Sequence, residues 1–355
     1  MFFNLAARIT YFLKDFSLYL LLDFIAIVTF IFMSYKLYKA KIDKKSQTIY
    51  LSLSFTIVII ILVFSLSEAY FRYVYDEPDG LGFLKVDKRW HQRHDVFNNY
   101  FFRDRNFEVE KPAGVTRIAV MGDSITQGGG IENVEDRFSN ILEEKLKSAE
   151  KKVEVYNLGK SGYDTTEEIK QYENVRHLKF DILIWEYFIN DIQPQTSTGT
   201  PILVKHSKKA KIVQFLSDRS FLFDYVYWRF SQRYQNTFKE LATADIDQYS
   251  NQSVLENHKK EITEFIDSLN KDKIKVVVIM FPSNFLIGPS YPSHIHQIMG
   301  DYFRKQGVIF IDLLPDLKDK NKKTLMASKF DPHPNEFVHK IAAERLFERI
   351  IFFIK

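Results

Sequence analysis

Ser124 sits in the run Gly122-Asp123-Ser124-Ile125-Thr126, immediately after a short apolar stretch at 118–121. Three other polar groups follow apolar stretches in the same way. The second stretch ends in Asn157-Leu158-Gly159-Lys160-Ser161-Gly162, and the third in Phe188-Ile189-Asn190-Asp191. Past the last come Asp331-Pro332-His333-Pro334-Asn335. Together they offer a hydroxyl, a flexible glycine amide, a carboxamide, and an imidazole with a carboxylate two residues before it. A serine hydroxyl is a poor nucleophile until a base takes its proton, the base needs a carboxylate to orient it, and the oxyanion that forms needs fixed donors. These are the parts of an acyl-transfer site. One serine in such a turn is as readily a helix cap, so the expectation rests on the whole set.

The set acts together only if the apolar stretches are neighbouring strands. Stretches at 118–121, 153–158, 182–187, 274–281 and 308–313 are mostly apolar rather than alternating, which suits strands buried on both faces of a parallel sheet. Helical patterns lie between them. Phe138, Ile141, Leu142 and Leu146 form one stripe. Thr165 and Glu168 read as a capping box, and Asn335 as the cap of a last helix with the stripe Val338, Ile341, Ala342 and Leu346. The fold class expected is α/β, a three-layer α/β/α sandwich with a five-stranded, mainly parallel sheet. In such a sheet functional groups collect at the carboxyl ends of the strands, where all four motifs fall.

The four motifs in this order resemble the SGNH (GDSL-type) hydrolase and esterase superfamily. Gly122-Asp123-Ser124-Ile125-Thr126 is similar to its first block, Ser161-Gly162 to its second, Asn190-Asp191 to its third and Asp331-Pro332-His333-Pro334-Asn335 to its last. The stretch from Phe102-Arg103-Asp104-Arg105 to Lys111-Pro112 looks like the lead-in of bacterial members, so the likeness runs from about residue 99 onward. The resemblance implies a flavodoxin-like fold, Ser124 as nucleophile, His333 as base and then acid, and Asp331 as its orienting partner. It implies an oxyanion hole from the Ser124 and Gly162 amides and the Asn190 side chain. Two features depart from the pattern. Phe188 stands where the third block usually has glycine, narrowing the crevice beside Asn190. Asp331 and His333 are two residues apart where three is common, a shorter spacing similar to that of polysaccharide acetylation proteins.

Other chemistries fit less well. The 355 residues include no cysteine, which removes thiolate metal sites and a cysteine nucleophile. The net charge of +4, from 49 basic and 45 acidic residues, does not point to nucleic acid. Gly128-Gly129-Gly130 is followed by Ile131-Glu132, not by the Gly-Lys-Ser/Thr of a phosphate loop. His294 and His296 lack a third ligand at metal-binding spacing, and His339 reads as structural. No cofactor and no metal are expected. Asp123 and Asp191 read as carboxylates that hold turns.

The N-terminal region reads differently. Residues 16–34 hold one charge, Asp23, and residues 49–67 hold none. As helices these 19-residue stretches span about 28 Å, close to the hydrocarbon thickness of a bilayer. A carboxylate at the middle of a span costs about 2.5–3.5 kcal/mol, so Asp23 should face the partner helix or be protonated. The linker at 35–50 carries Lys36, Lys39, Lys41, Lys44 and Lys45 against Asp43 alone. The positive-inside rule puts it in the cytoplasm, with both ends extracytoplasmic. The organisation expected is a membrane hairpin at 1–70, a neck and edge strand at 71–115, and a hydrolase domain at 116–355 with a helical insertion at about 193–270. The aromatic run at 221–230 in that insertion is expected to pack on the sheet domain, with an acyl-pocket lining or a membrane-interface contact as the alternatives. The functional expectation is a membrane-anchored, extracytoplasmic serine esterase of the cytoplasmic membrane. Its partners would be a small-molecule, lipid or glycan ester and the lipid bilayer. Two alternatives stay open: an O-acyltransferase working with a membrane acyltransferase partner, and a non-catalytic envelope scaffold.

Overall fold

The computed structural model describes residues 5–192 and 195–354. In chain order, α1 is Leu5–Asp15, α2 Ser17–Lys39, α3 Lys44–Tyr73 and α4 Asp87–His94. Then β1 (Thr116–Met121) leads into α5 (Ser124–Gln127), α6 (Phe138–Ser148) precedes β2 (Val153–Asn157), and α7 (Thr165–Val175) precedes β3 (Ile182–Tyr187). Five helices follow: α8 (Gln195–Ser207), α9 (Lys211–Arg219), α10 (Phe221–Phe230), α11 (Arg233–Ser250) and α12 (Gln252–Lys271). The chain finishes with β4 (Lys275–Met280), α13 (Ser293–Lys305), β5 (Ile309–Asp312), α14 (Leu314–Leu317) and α15 (Glu336–Ile350). It forms two compact units, Met1–Asp76 with Ala210–Arg229, and Glu77–Lys209 with Phe230–Lys355.

The larger unit is the expected sandwich. Its five strands lie in the order β2-β1-β3-β4-β5, with every neighbouring pair parallel. Alternate residues of each strand feed opposite cores, because successive side chains of a strand point to opposite faces. Ala119, Met121, Leu183, Trp185, Val276 and Val278 join Tyr172, Phe265 and Phe303 of α7, α12 and α13 on one face. Ile118, Val120, Ile182, Ile184, Val277 and Ile279 join Phe138 and Leu142 of α6 and Val338 and Leu346 of α15 on the other. Fully burying each such side chain contributes roughly 1.5–3 kcal/mol, which explains the unbroken apolar runs. The register pairs Val120 with Asn157 and Met121 with Trp185, so the loops that follow these strands emerge at the same edge.

Three local expectations are corrected. The capping box at Thr165 and Glu168 does not form. Asp164 is the cap, accepting from the Glu167 amide at 3.0 Å, because Glu168 is turned into the core to accept from Trp185 Nε1 at 2.8 Å. Residues 71–115 hold the end of α3, then α4 and loops, with no edge strand among the described residues. Arginine side chains anchor that segment in place of a ladder: Arg105 pairs with Glu143 at 2.8 Å, and Arg117 donates to the Glu110 and Leu178 carbonyls. The insertion is also not one body. Its α10 falls, up to Arg229, in the smaller unit, while α8, α11 and α12 fall in the larger.

In that smaller unit α2 and α3 run antiparallel, with Tyr19 beside Phe64 and Phe30 beside Phe55. Each is long and apolar enough to cross a membrane, with mean hydropathies of 2.1 and 2.6 over the most apolar stretch. Asp23 faces its partner helix as expected, accepting from Ser65 Oγ at 2.7 Å. Glu68 of α3 accepts from Ser220 Oγ at 2.7 Å and from the Phe221 and Leu222 amides at 3.0 Å. A carboxylate on the first amides of α10 satisfies groups that the helix itself leaves unpaired. Phe71 adds a ring contact to Tyr225 at 4.7 Å.

Candidate active site

At the end of β1 the chain turns directly into α5. Asp123 is the cap, accepting from the Ile125 amide at 2.8 Å, and Ser124 is the first helical residue. The serine hydroxyl is thereby left unburdened by capping. Two buried guanidinium groups hold the far end of this short helix. Arg103 donates to the carbonyls of Gly128 at 2.7 Å and Ile131 at 2.6 Å, and Arg137 donates to the Gln127 carbonyl at 3.3 Å. Gly130 has φ +78°, and a Cβ there would lie 2.4 Å from Ala327 Cβ and 3.0 Å from Asp331 Oδ2. The glycine run, which gave no phosphate loop, thus admits the last motif to the first.

His333 Nε2 lies 2.8 Å from Ser124 Oγ, across 209 residues of sequence. Its Nδ1 is hydrogen-bonded to Asp331 Oδ1, and the same oxygen accepts from the His333 amide at 3.0 Å. The two-residue spacing therefore brings carboxylate and ring together within one tight loop. That loop is closed by a Met326–Pro334 bridge and by the Ala327 amide on the His333 carbonyl. Burial lowers the imidazole pKa, while the carboxylates of Asp331 and, farther off, Asp123 raise it. The carboxylates prevail, and His333 titrates above the ordinary histidine value.

Asn190 donates from Nδ2 to Asp123 Oδ2 at 3.1 Å, which ties the third motif to the residue preceding Ser124. Gly162 sits at φ +80°, a conformation open to glycine, and Gln127 Oε1 holds its loop by accepting from the Ser161 amide at 2.8 Å. Ser124, Gly162, Asn190 and His333 all line one cavity of about 450 Å³. The arrangement can take a proton from a hydroxyl and hold the resulting imidazolium against a carboxylate, with the Gly162 turn and Asn190 lining the same cavity.

The family model described as GDSL-like Lipase/Acylhydrolase family matches residues 120–341. The chain belongs to this family. This acylhydrolase is therefore a serine hydrolase of ester bonds, and the scaffold alternative is set aside. No curated protein sequence matches the chain. Among solved structures it is similar to TesA, at 12% identity over 66% of this chain and 98% of that one, with a TM-score of 0.42. It is similar to the acetyl xylan esterase AlAXEase at 17% identity, over 66% and 99% of the two chains, with a TM-score of 0.42. A lipase/acylhydrolase from Enterococcus faecalis matches at 14% identity over 68% and 97%, again at 0.42.

Beneath the acylhydrolase site lies a buried acidic group that the sequence did not disclose. Glu186 on β3 accepts from Thr126 Oγ1 at 3.2 Å and from the Asp123 amide at 3.3 Å. Burial, then the neighbouring carboxylates Asp123 and Asp191, push its pKa well above the usual carboxylate range. Burial and neighbouring acids push Glu168 and Asp191 the same way. Asp191 holds its turn by accepting from the Phe188 amide at 2.8 Å. A glutamate inside an apolar strand carries no local signal that the turns bearing Asp123 and Asp191 will converge on it. His339 and His296 are structural. His339 Nδ1 accepts from the Phe138 amide at 3.1 Å and is held neutral by burial, its pKa pushed down to about 3. His296 places one ring nitrogen on Asp312 at 2.7 Å and the other on Tyr291 at 2.8 Å. Among the described residues no cluster of His, Asp and Glu fits a metal ion.

The sign of the His333 shift sets a pH dependence. The base must be neutral, so kcat/KM for ester hydrolysis should rise with pH through a midpoint above the ordinary value of about 6.5. A pH–rate profile with its acid limb at or below that value would contradict the geometry around Asp331.

Proposed function

We propose that this acylhydrolase is a membrane-anchored, extracytoplasmic esterase working through a covalent acyl-enzyme. The observation that carries the mechanism is the hydrogen-bonded line from Ser124 Oγ to His333 Nε2 and from Nδ1 to Asp331. Ser124 Oγ bonds to the ester carbonyl carbon as its proton passes to His333 Nε2. The Ser124 and Gly162 amides and Asn190 Nδ2 bind the oxyanion. Collapse breaks the bond to the alcohol oxygen, which leaves with the proton from His333. Water then enters by the same route in reverse and releases the acid. Each oxyanion donor is worth about 10²–10³-fold in turnover.

The membrane part of the proposal is supported by exposure. Only 6% and 11% of the most apolar stretches of α2 and α3 are buried, leaving Phe24, Ile31, Ile60 and Leu66 exposed. So large an apolar surface needs a cover, and lipid fits its length. The Lys-rich linker then lies in the cytoplasm. Because the chain has no cysteine, single substitutions report topology cleanly. On intact cells an impermeant maleimide should label Lys208→Cys and reach Lys41→Cys only after permeabilisation. The opposite pattern would invert the orientation.

The activity is tested with the full chain in detergent micelles on p-nitrophenyl esters. Hydrolysis that depends on Ser124 is expected. If an added polyol carries away the acyl group in place of water, the protein is a transferase; absence of turnover by either route defeats the proposal.

A further inference from the structure

The cavity above Ser124 has an apolar side built by elements outside the four motifs. Phe238, Leu241 and Ala242 fall at i, i+3 and i+4 of α11 and line it as one face, with Asp245 one turn farther on. Leu203 of α8 joins them, and Glu240 fixes α8 to α11 through Lys205 at 2.8 Å and His206 at 2.7 Å. Phe188 packs against both cores of the sandwich and shares the same cavity, so the residue that replaces the usual glycine forms a wall. A second cavity, of about 70 Å³, shares Ser124 and His333 with the first but has a more polar lining. Its lining includes Gln127, His91, Asp95 and Trp90, whose buried Nε1 donates to no described residue.

Chemistry sorts the two halves of an ester between these spaces. The carbonyl oxygen must point toward Gly162 and Asn190, which line the large cavity and not the small one. The alcohol oxygen must lie at His333 Nε2, which gives it a proton. The acyl chain is left with the apolar side. Building on the esterase reading, we propose that the substrate is an ester of a medium-length hydrocarbon acid with a hydroxyl-bearing alcohol. The acyl chain lies against Phe188, Phe238 and Leu241, and the alcohol faces Trp90 and Gln127. The large cavity is toward the small end of the 300–1,000 Å³ usual for ligand sites, which suits several methylenes better than a long fatty chain.

The full chain in detergent micelles tests this with two substrate series. With p-nitrophenol as the fixed alcohol, each methylene buried should raise kcat/KM about fourfold, or about 10²-fold from acetate to hexanoate. The gain should be lost by palmitate. With acetate as the fixed acid, glycerol esters should be preferred to hexyl esters. Leu241→Trp should lower the hexanoate-to-acetate ratio at least about tenfold, and Leu241→Ala should move the optimum to longer chains. Neither should reorder the alcohol series. A flat acyl series, or variants that reorder the alcohols instead, overturns the assignment. Fluorophosphonate labelling at Ser124 keeps the two readings apart. Labelled protein with a flat acyl series defeats this inference alone, whereas protein that neither labels nor hydrolyses any ester defeats the esterase proposal beneath it.

Discussion

Ser124→Ala should reduce kcat for p-nitrophenyl ester hydrolysis by about 10⁶-fold, with the fold retained. The size follows from the loss of the covalent route, which leaves only binding and oxyanion stabilisation. Retention of the fold follows from the division of labour in the turn. Asp123, not Ser124, caps α5, and Arg103 and Arg137 hold the carbonyls at and just past its other end. The hydroxyl is hydrogen-bonded to His333 Nε2. Its removal should therefore leave the thermal midpoint within a few degrees of wild type. Steady-state rates and a melting curve on the same preparation check both halves. Near-wild-type turnover would assign the nucleophile elsewhere, and a large drop in melting temperature would make Ser124 a structural residue.

Asp331→Asn should cost about 10⁴-fold in kcat, through the tautomer of the base. Asp331 Oδ1 accepts from both the amide and the Nδ1–H of His333, so Nε2 is left free to receive the serine proton. An asparagine that keeps its oxygen on the His333 amide turns its NH₂ elsewhere, and one that offers NH₂ to Nδ1 forces the ring proton onto Nε2. In the second arrangement the base cannot accept. The pH profile separates this effect from simple misfolding. Without the carboxylate that raises the His333 pKa, the acid limb of the residual activity should move to lower pH. An unmoved limb with little loss of turnover would remove Asp331 from the site.

Much of this was legible before the structure. The strands could be read because both faces of the sheet are covered, which leaves runs such as 118–121 with no polar face to confuse them. Ser124, Gly162, Asn190 and His333 could be placed because each follows such a run. What stayed hidden depended on pairing over distance. Glu168 looks like a capping residue until Trp185 claims it. Residues 71–115 look like an edge strand, yet arginine side chains and not a ladder hold them. Nothing in the aromatic run at 221–230 shows that Glu68, more than 150 residues earlier, caps its helix. Glu186 announces nothing, because its role comes from neighbours that only the fold supplies.

The central claim is that one hydroxyl, Ser124 Oγ, carries the acyl group. Treatment of the full chain with a fluorophosphonate, then proteolysis and mass spectrometry, measures this directly. The account predicts a single adduct on the peptide containing Gly122-Asp123-Ser124, absent in Ser124→Ala and strongly slowed in His333→Ala. An adduct on a different serine, or equal labelling of the Ser124→Ala protein, would contradict it.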